Sequence, residues 1–191
     1  RQVGKTTLSK AVLSSLPGRN LSINADTLPI EHVLSSRDLN RLRALVDGYD
    51  LLFIDEAQRI SDIGINLKIL HDELPSLKIL VTGSSSLDLA NKVREPLTGR
   101  TRTFHLYPIS VEEWRLHTKT NDFETIQMVE EWLIYGMYPE ILTITNLDQK
   151  ALYLQELTQA YLYKDILMMG NIRYPEKLGQ LLRLIAWQIG N

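Results

Sequence analysis

The chain has 191 residues, with hydrophobic residues at 44% and charged residues at 23%, the mix of a globular protein with a core to bury. Lys+Arg of 21 against Asp+Glu of 23 gives a formal net charge of −2, so nothing global announces a nucleic-acid or membrane-surface binder. Cys 0 excludes a disulfide framework, a thiolate nucleophile and cysteine-ligated zinc, and no apolar run approaches the ~18 residues of a membrane span, which together predict a soluble, cytoplasmic protein.

From Thr7 to Leu16, the apolar residues Leu8, Ala11, Val12 and Leu16 recur at helical spacing until Pro17-Gly18 stops them. Leu21 to Ile23 reads as a short strand, and a helix follows around Leu39, Leu42, Leu45 and Val46. Leu51 to Ile54 is a wholly apolar strand that ends abruptly in Asp55-Glu56. A polar helix with Ile65, Ile69 and Leu70 inward leads to a further strand, Leu77 to Thr82, and Arg102 to Tyr107 alternates weakly before Pro108. Strands alternating with helices imply βα units and a parallel sheet covered on both faces. After Pro108 the character changes: residues 110–135, 147–169 and a stretch marked by Leu178, Leu181, Leu182, Ile185 and Ile189 read as helices. The predicted organisation is an α/β core over 1–107, a helical part over 108–165 and the start of a further domain over 166–191.

The opening Arg1-Gln2-Val3-Gly4-Lys5-Thr6-Thr7 matches the end of the phosphate loop G-x-x-x-x-G-K-[ST], whose first glycine lies upstream of Arg1. Successive backbone N–H groups, Val3 to Thr7 among them, and the positive end of the following helix form an anion site. Gly4 allows close backbone approach, Lys5 reaches the β/γ-phosphates and Thr6 offers its hydroxyl to Mg²⁺. The plainer reading of Gly4-Lys5-Thr6-Thr7 is a helix start that Thr6 caps.

Asp55 and Glu56 supply the second half of the site. A strand buried on both faces presents its acidic residues at the C-terminal end, where α/β sheets bind ligands. There Asp55 holds the Mg²⁺ shell through water, and Glu56 orients and deprotonates the water that attacks a γ-phosphate. Beside it, the strand ending at Thr82 runs into Gly83-Ser84-Ser85-Ser86, where Ser84 or Ser85 is placed to hydrogen-bond the γ-phosphate or that water. Ser86 also reads as a helix cap. His32, His71, His105 and His117 show no metal-ligand spacing, and no G-x-S-x-G context marks a serine hydrolase.

The strings RQVGKTTL, LLFIDEAQRI, LKILVTGSSSLDL, LTGR with FHLYPIS, GMYPEIL and YLYKDIL resemble the AAA+ branch of P-loop ATPases. More narrowly, the chain resembles bacterial and archaeal predicted ATPases with an AAA domain followed by a poorly characterised C-terminal domain. The resemblance implies a three-layer P-loop fold with a helical lid, with ATP and Mg²⁺ as ligands. It makes Lys5 and Thr6 the Walker A residues, Asp55 and Glu56 the Walker B residues, and Ser84 or Ser85 the sensor. It also implies an arginine finger acting on a neighbouring subunit's γ-phosphate, at Arg100 with Arg94 and Arg102 as rivals. The bland alternative is a surface arginine at a helix C-terminus. Gly136-Met137-Tyr138-Pro139 is similar to the lid element that brings a proline, here Pro139, near adenine, although a second glycine is more usual where Met137 stands. Against this family the chain reads as a fragment: Arg1 is not Met, the first strand lies upstream, and the C-terminal domain is only begun.

The leading expectation is an Mg²⁺-dependent ATPase that drives conformational change, with a homo-oligomer formed around the arginine finger. The second is a slow nucleotide-dependent switch or a module that binds a protein or DNA target through the C-terminal domain. A small-molecule kinase shares the phosphate loop but fits the Asp-Glu pair less well.

Overall fold

The computed structural model describes residues 2–25, 27–83, 97–163 and 176–188, and divides the chain into two compact units, Arg1–Tyr107 and Pro108–Asn191. In the first unit a three-stranded parallel sheet runs in the order β1 (Asn20–Asn24), β2 (Leu51–Asp55), β3 (Lys78–Val81). The helices around it are α1 (Lys5–Ser15), α2 (Leu28–Leu34), α3 (Leu39–Val46) and α4 (Ile63–Glu73).

The sheet is organised by β2. Its apolar run leaves no polar face, so the strand is stable only with helices on both sides. Leu52 and Ile54 enter the larger core with Leu34, Leu42, Val46, Ile63, Leu67 and Leu70 from α2, α3 and α4. Leu51 and Phe53 point to the opposite face, where Leu13 of α1 and Leu80 of β3 meet them. Three layers result, α1 on one face and α2 to α4 on the other. Leu52, Phe53 and Ile54 are all fully buried, and each such side chain stabilises the fold by about 1.5–3 kcal/mol relative to exposure.

The short helix α2 was not visible in the periodicity. It spans Leu28–Leu34 and begins with Pro29 in its first turn, where a missing N–H costs nothing. The inward face of α4 is Ile63, Leu67 and Leu70, with Ile65 and Ile69 only partly buried. Residues 101–107 form no strand, and Phe104 and Tyr107 are exposed, so the weak alternation there has no buried side to serve.

Asn66, fully buried on α4, joins two elements. Its Oδ1 accepts from the Arg37 N–H at 2.8 Å and its Nδ2 donates to the Asp62 carbonyl at 3.0 Å. Arg37 lies in the left-handed region (φ 53), and Asn66 holds the loop there between α2 and α3.

The second unit is helical: α5 (Val111–Thr118), α6 (Asp122–Tyr135), α7 (Pro139–Thr143), α8 (Leu147–Leu157) with a π-helical continuation Thr158–Tyr163, and α9 (Glu176–Gln188). The single helix expected over 110–135 is two. Lys119 takes a left-handed conformation (φ 59) that ends α5, and Asn121 starts α6 by accepting from the Glu124 N–H at 2.9 Å. Trp114 and Trp132 meet edge to face with centroids 6.5 Å apart, and the buried Lys150 of α8 pairs with Glu131 of α6. Among the described residues no helix is long and apolar enough to cross a membrane.

Two measurements test this packing. Asn66→Ala leaves the Arg37 N–H without its acceptor and is expected to destabilise the first unit by about 1–3 kcal/mol in urea unfolding; wild-type stability would contradict the assignment. At the start of α5, the Ser110 N–H donates to Glu113 Oε2 at 2.8 Å and Glu113 N–H to Ser110 Oγ at 3.1 Å. The backbone and hydroxyl bonds from Ser110 hold the Glu113 carboxyl below the usual glutamate range. This capping box is therefore complete at and above the ordinary glutamate pKa and is lost as pH falls through the lower, folded value. Carboxyl NMR titration should show Glu113 protonating later on acidification than the same residue in Ser110→Ala.

Candidate functional site

The site lies at the C-terminal end of the parallel sheet, where β2 delivers Asp55 and the chain turns. Thr6, in the first turn of α1, donates its hydroxyl to Asp55 Oδ2 at 2.8 Å. Thr82, immediately after β3, donates its hydroxyl to the other carboxylate oxygen, Oδ1. The register explains the second contact: Ile54 pairs with Val81, so the next residue of β3 lies beside Asp55. Both oxygens of one half-buried carboxylate thus receive hydroxyl protons, one from α1 and one from the residue after β3.

Thr82 is itself buried and does more. Its Oγ1 accepts from the Glu56 N–H at 3.3 Å, and its carbonyl accepts from the Ala57 N–H at 2.9 Å. These bonds secure Glu56 in a left-handed conformation (φ 56, ψ 40), uncommon for a residue with a side chain and costing about 1–3 kcal/mol. Because a carboxylate only accepts, the Thr82 proton is committed to Asp55, while a lone pair of the same oxygen accepts from Glu56. The Glu56 carboxylate in turn accepts from Gln58 Nε2, within the 3₁₀ turn Ala57–Arg59 that follows.

Gly4 precedes α1 with φ 87 and ψ 16, a conformation any side chain would strain, and Gln2 is also left-handed (φ 53). Alternating backbone dihedrals of this kind turn successive N–H groups into an anion-binding concavity. No acidic residue occupies the first turn of α1 and no side chain caps it, so its positive end is uncompensated. Among the described residues Lys5, partly exposed, has no carboxylate partner.

The other residues singled out from the sequence fall elsewhere. Ser84, Ser85 and Arg94 lie outside the described residues. Arg100 closes the turn Leu97–Arg100 and pairs through Nε with Asp72 Oδ1 of α4 at 3.6 Å, both half-exposed. Arg102 is exposed. Pro139 belongs to the second unit, where it opens α7. Val3 and Thr7 flank Gly4 to Thr6 in the loop and first turn. Thr82 and Gln58 are the residues that sequence reasoning passed over. A signal existed for each: a hydroxyl ending the strand next to the acidic one, and an amide two residues from the acidic pair.

Among the described residues no group of three or more His, Asp or Glu is arranged to hold a metal. Thr6 and Asp55 offer two hard oxygens, which suits an ion that keeps several waters and takes phosphate oxygens, as Mg²⁺ does. With its proton on Asp55, Thr6 Oγ1 keeps its lone pairs for such an ion.

Residues 1–115 match the family model of an AAA domain, and residues 126–191 match a domain of unknown function, DUF8612. The second match runs across the division expected near residue 165. Uncharacterized proteins of Mycobacterium bovis and Mycobacterium tuberculosis are each 30% identical over 177 residues, 92% of this chain and 36% of theirs. An uncharacterized protein of Methanocaldococcus jannaschii is 25% identical over 131 residues, 64% of this chain and 29% of its own. The chain thus spans about a third of the curated relatives it matches. No solved structure matches. The chain belongs to the AAA domain family, a family of P-loop nucleotide-binding proteins of the ATPase type.

The Thr82 hydroxyl is testable apart from activity. Thr82→Val keeps the volume but leaves the Glu56 N–H without its acceptor and Asp55 Oδ1 without its donor. It is expected to cost about 1–3 kcal/mol and to speed hydrogen exchange at the Glu56 amide, whereas Thr82→Ser should restore both. Unchanged exchange in Thr82→Val would show that the hydroxyl does not secure the turn.

Proposed function

We propose that this member of the AAA domain family binds ATP with Mg²⁺ at the Gly4–Thr6 loop and hydrolyses it to drive a conformational change. The observation that carries the reading is the Thr6–Asp55 hydrogen bond of 2.8 Å, which joins the phosphate-loop helix to the acidic strand with both oxygens in place for one cation. When bound, Mg²⁺ would neutralise negative charge on the β- and γ-phosphate oxygens. Thr6 and Asp55 would hold it, and the left-handed Gly4 lets backbone N–H groups approach the phosphates without a side chain between.

Lys5 carries a positive charge that no described carboxylate neutralises, which leaves it for the β/γ-phosphates. Glu56 serves as the general base. The oxygen of the attacking water bonds to the γ-phosphorus, its proton passes to Glu56, and the β–γ bridging oxygen leaves with ADP. The serines Ser84 and Ser85 follow directly on Thr82-Gly83 and are the sensor candidates. Arg100 is the candidate finger for a neighbouring copy. Its pairing with Asp72 is half-exposed and so worth at most about 1 kcal/mol, and releasing it toward a second subunit costs little. A protein or DNA target would be engaged through the C-terminal domain, whose match over residues 126–191 is to a domain of unknown function.

The test is steady-state ATP hydrolysis with Mg²⁺ by the full chain, beside Lys5→Ala and Glu56→Gln, over a range of protein concentrations. Wild type should turn over, and Glu56→Gln should lose about 10²-fold or more while still binding ATP. Lys5→Ala should lose binding and turnover together. Specific activity rising with concentration, and lost in Arg100→Ala, supports the finger in trans. Lys5-dependent binding with no Glu56-dependent turnover would replace the enzyme by a nucleotide switch.

A further inference from the structure

The carboxylate of Glu56 is not presented alone. Gln58 Nε2 donates to Glu56 Oε2, and a carboxylate only accepts, so this contact settles which end of the amide is nitrogen. The other end, Gln58 Oε1, is buried and has no hydrogen-bond partner among the described residues. Buried acceptors are almost always paired, so an orphan beside an acidic pair calls for a reason. The amide stands on a rigid base. Ala57 and Ile60 on either side of it are fully buried, and the turn is closed by Arg59 N–H to the Glu56 carbonyl and Ile60 N–H to the Ala57 carbonyl, both at 3.1 Å.

We propose that Gln58 is a positioning residue for hydrolysis, fixing the rotamer of Glu56 with one end of its amide. The inference rests on Glu56 being the base of the proposed reaction. A glutamate side chain with several rotamers spends little time in the one that meets the attacking water, and misplacement of about 1 Å can cost 10²-fold in rate. The left-handed backbone at Glu56 makes the loss larger without Gln58, because the residue is anchored by its main chain and by this one side-chain contact.

The test combines ATP affinity, turnover and a non-additivity measurement on the full chain. Gln58→Met keeps the length and removes both polar ends. It is expected to lower kcat about 10–100-fold, with ATP affinity, read by a fluorescent ATP analogue, and melting temperature unchanged. In the Glu56→Gln background the same substitution should cost nothing further, because Gln58 acts through Glu56. A merely structural role would cost the same in both backgrounds. In the nucleotide-free protein, the Gln58 side-chain amide NMR signal should also move on Glu56→Gln. Turnover that depends on Glu56 but is equal or faster in Gln58→Met overturns this inference and leaves the ATPase standing; faster turnover would make Gln58 a latch. A loss of equal size in both backgrounds overturns it as well. Turnover independent of Glu56 removes the ATPase reading, and this inference with it.

Discussion

The carboxylate of Asp55 is the joint on which the first unit depends. Hydroxyls from α1 and from the end of β3 converge on its two oxygens, so three elements meet at one charged group. Hydrogen bonds to an ionised acceptor are about twice as strong as neutral ones, and this pair fixes both rotation and tilt of the carboxylate. The arrangement follows from the burial of β2. A strand that is apolar on both faces must run through the middle of the layers, and it meets polar surroundings only where it ends. Asp55 is the first residue at which that becomes true.

From the same joint comes the strain at Glu56. A strand continuing past Asp55 would carry the next side chain to the opposite face of the sheet. The left-handed turn prevents this and brings Glu56 into the 3₁₀ turn with Gln58. Thr82 holds that turn twice, through Oγ1 and through its carbonyl. Strain persists in folded proteins only where the surroundings over-determine it. Here one threonine does so, accepting through its hydroxyl and carbonyl oxygens while its hydroxyl hydrogen goes to Asp55.

The layers, the central strand and the glycine-led start of α1 were legible in the sequence because each depends on local pattern. Leu51 to Ile54 is too apolar for a half-exposed strand, and Gly4-Lys5-Thr6 followed by helical periodicity has few other uses. The hydroxyl of Thr82 at the end of its strand was legible, but its partners were not, because they are set by the pairing of Ile54 with Val81, a non-local register that no single segment carries. The break between α5 and α6 was within reach: Ser110 with Glu113 and Asn121 with Glu124 are both capping boxes, and the second announces a new helix start. Arg102 to Tyr107 shows the converse, alternation without a strand, since a period of two means burial only if one side has something to pack against.

The contrast between preformed and unsatisfied groups bears on how such a site works. If Thr6 and Asp55 hold a cation as proposed, they are already joined by a hydrogen bond, and binding there requires little reorganisation. By the same token these two residues cannot transmit much, because a ligand shifts a protein only by the difference in its affinity for two states. Transmission has to come from groups whose partners are incomplete or cheaply exchanged. Two stand out among the described residues: the Gln58 carbonyl, which has an acceptor's need and no donor, and the exposed Arg100–Asp72 pair, whose loss costs little. One is beside Glu56 and the other ties the chain after residue 97 back to α4. On the proposed function, the rigid half of the site would serve recognition, and the loosely partnered half is where occupancy would become movement.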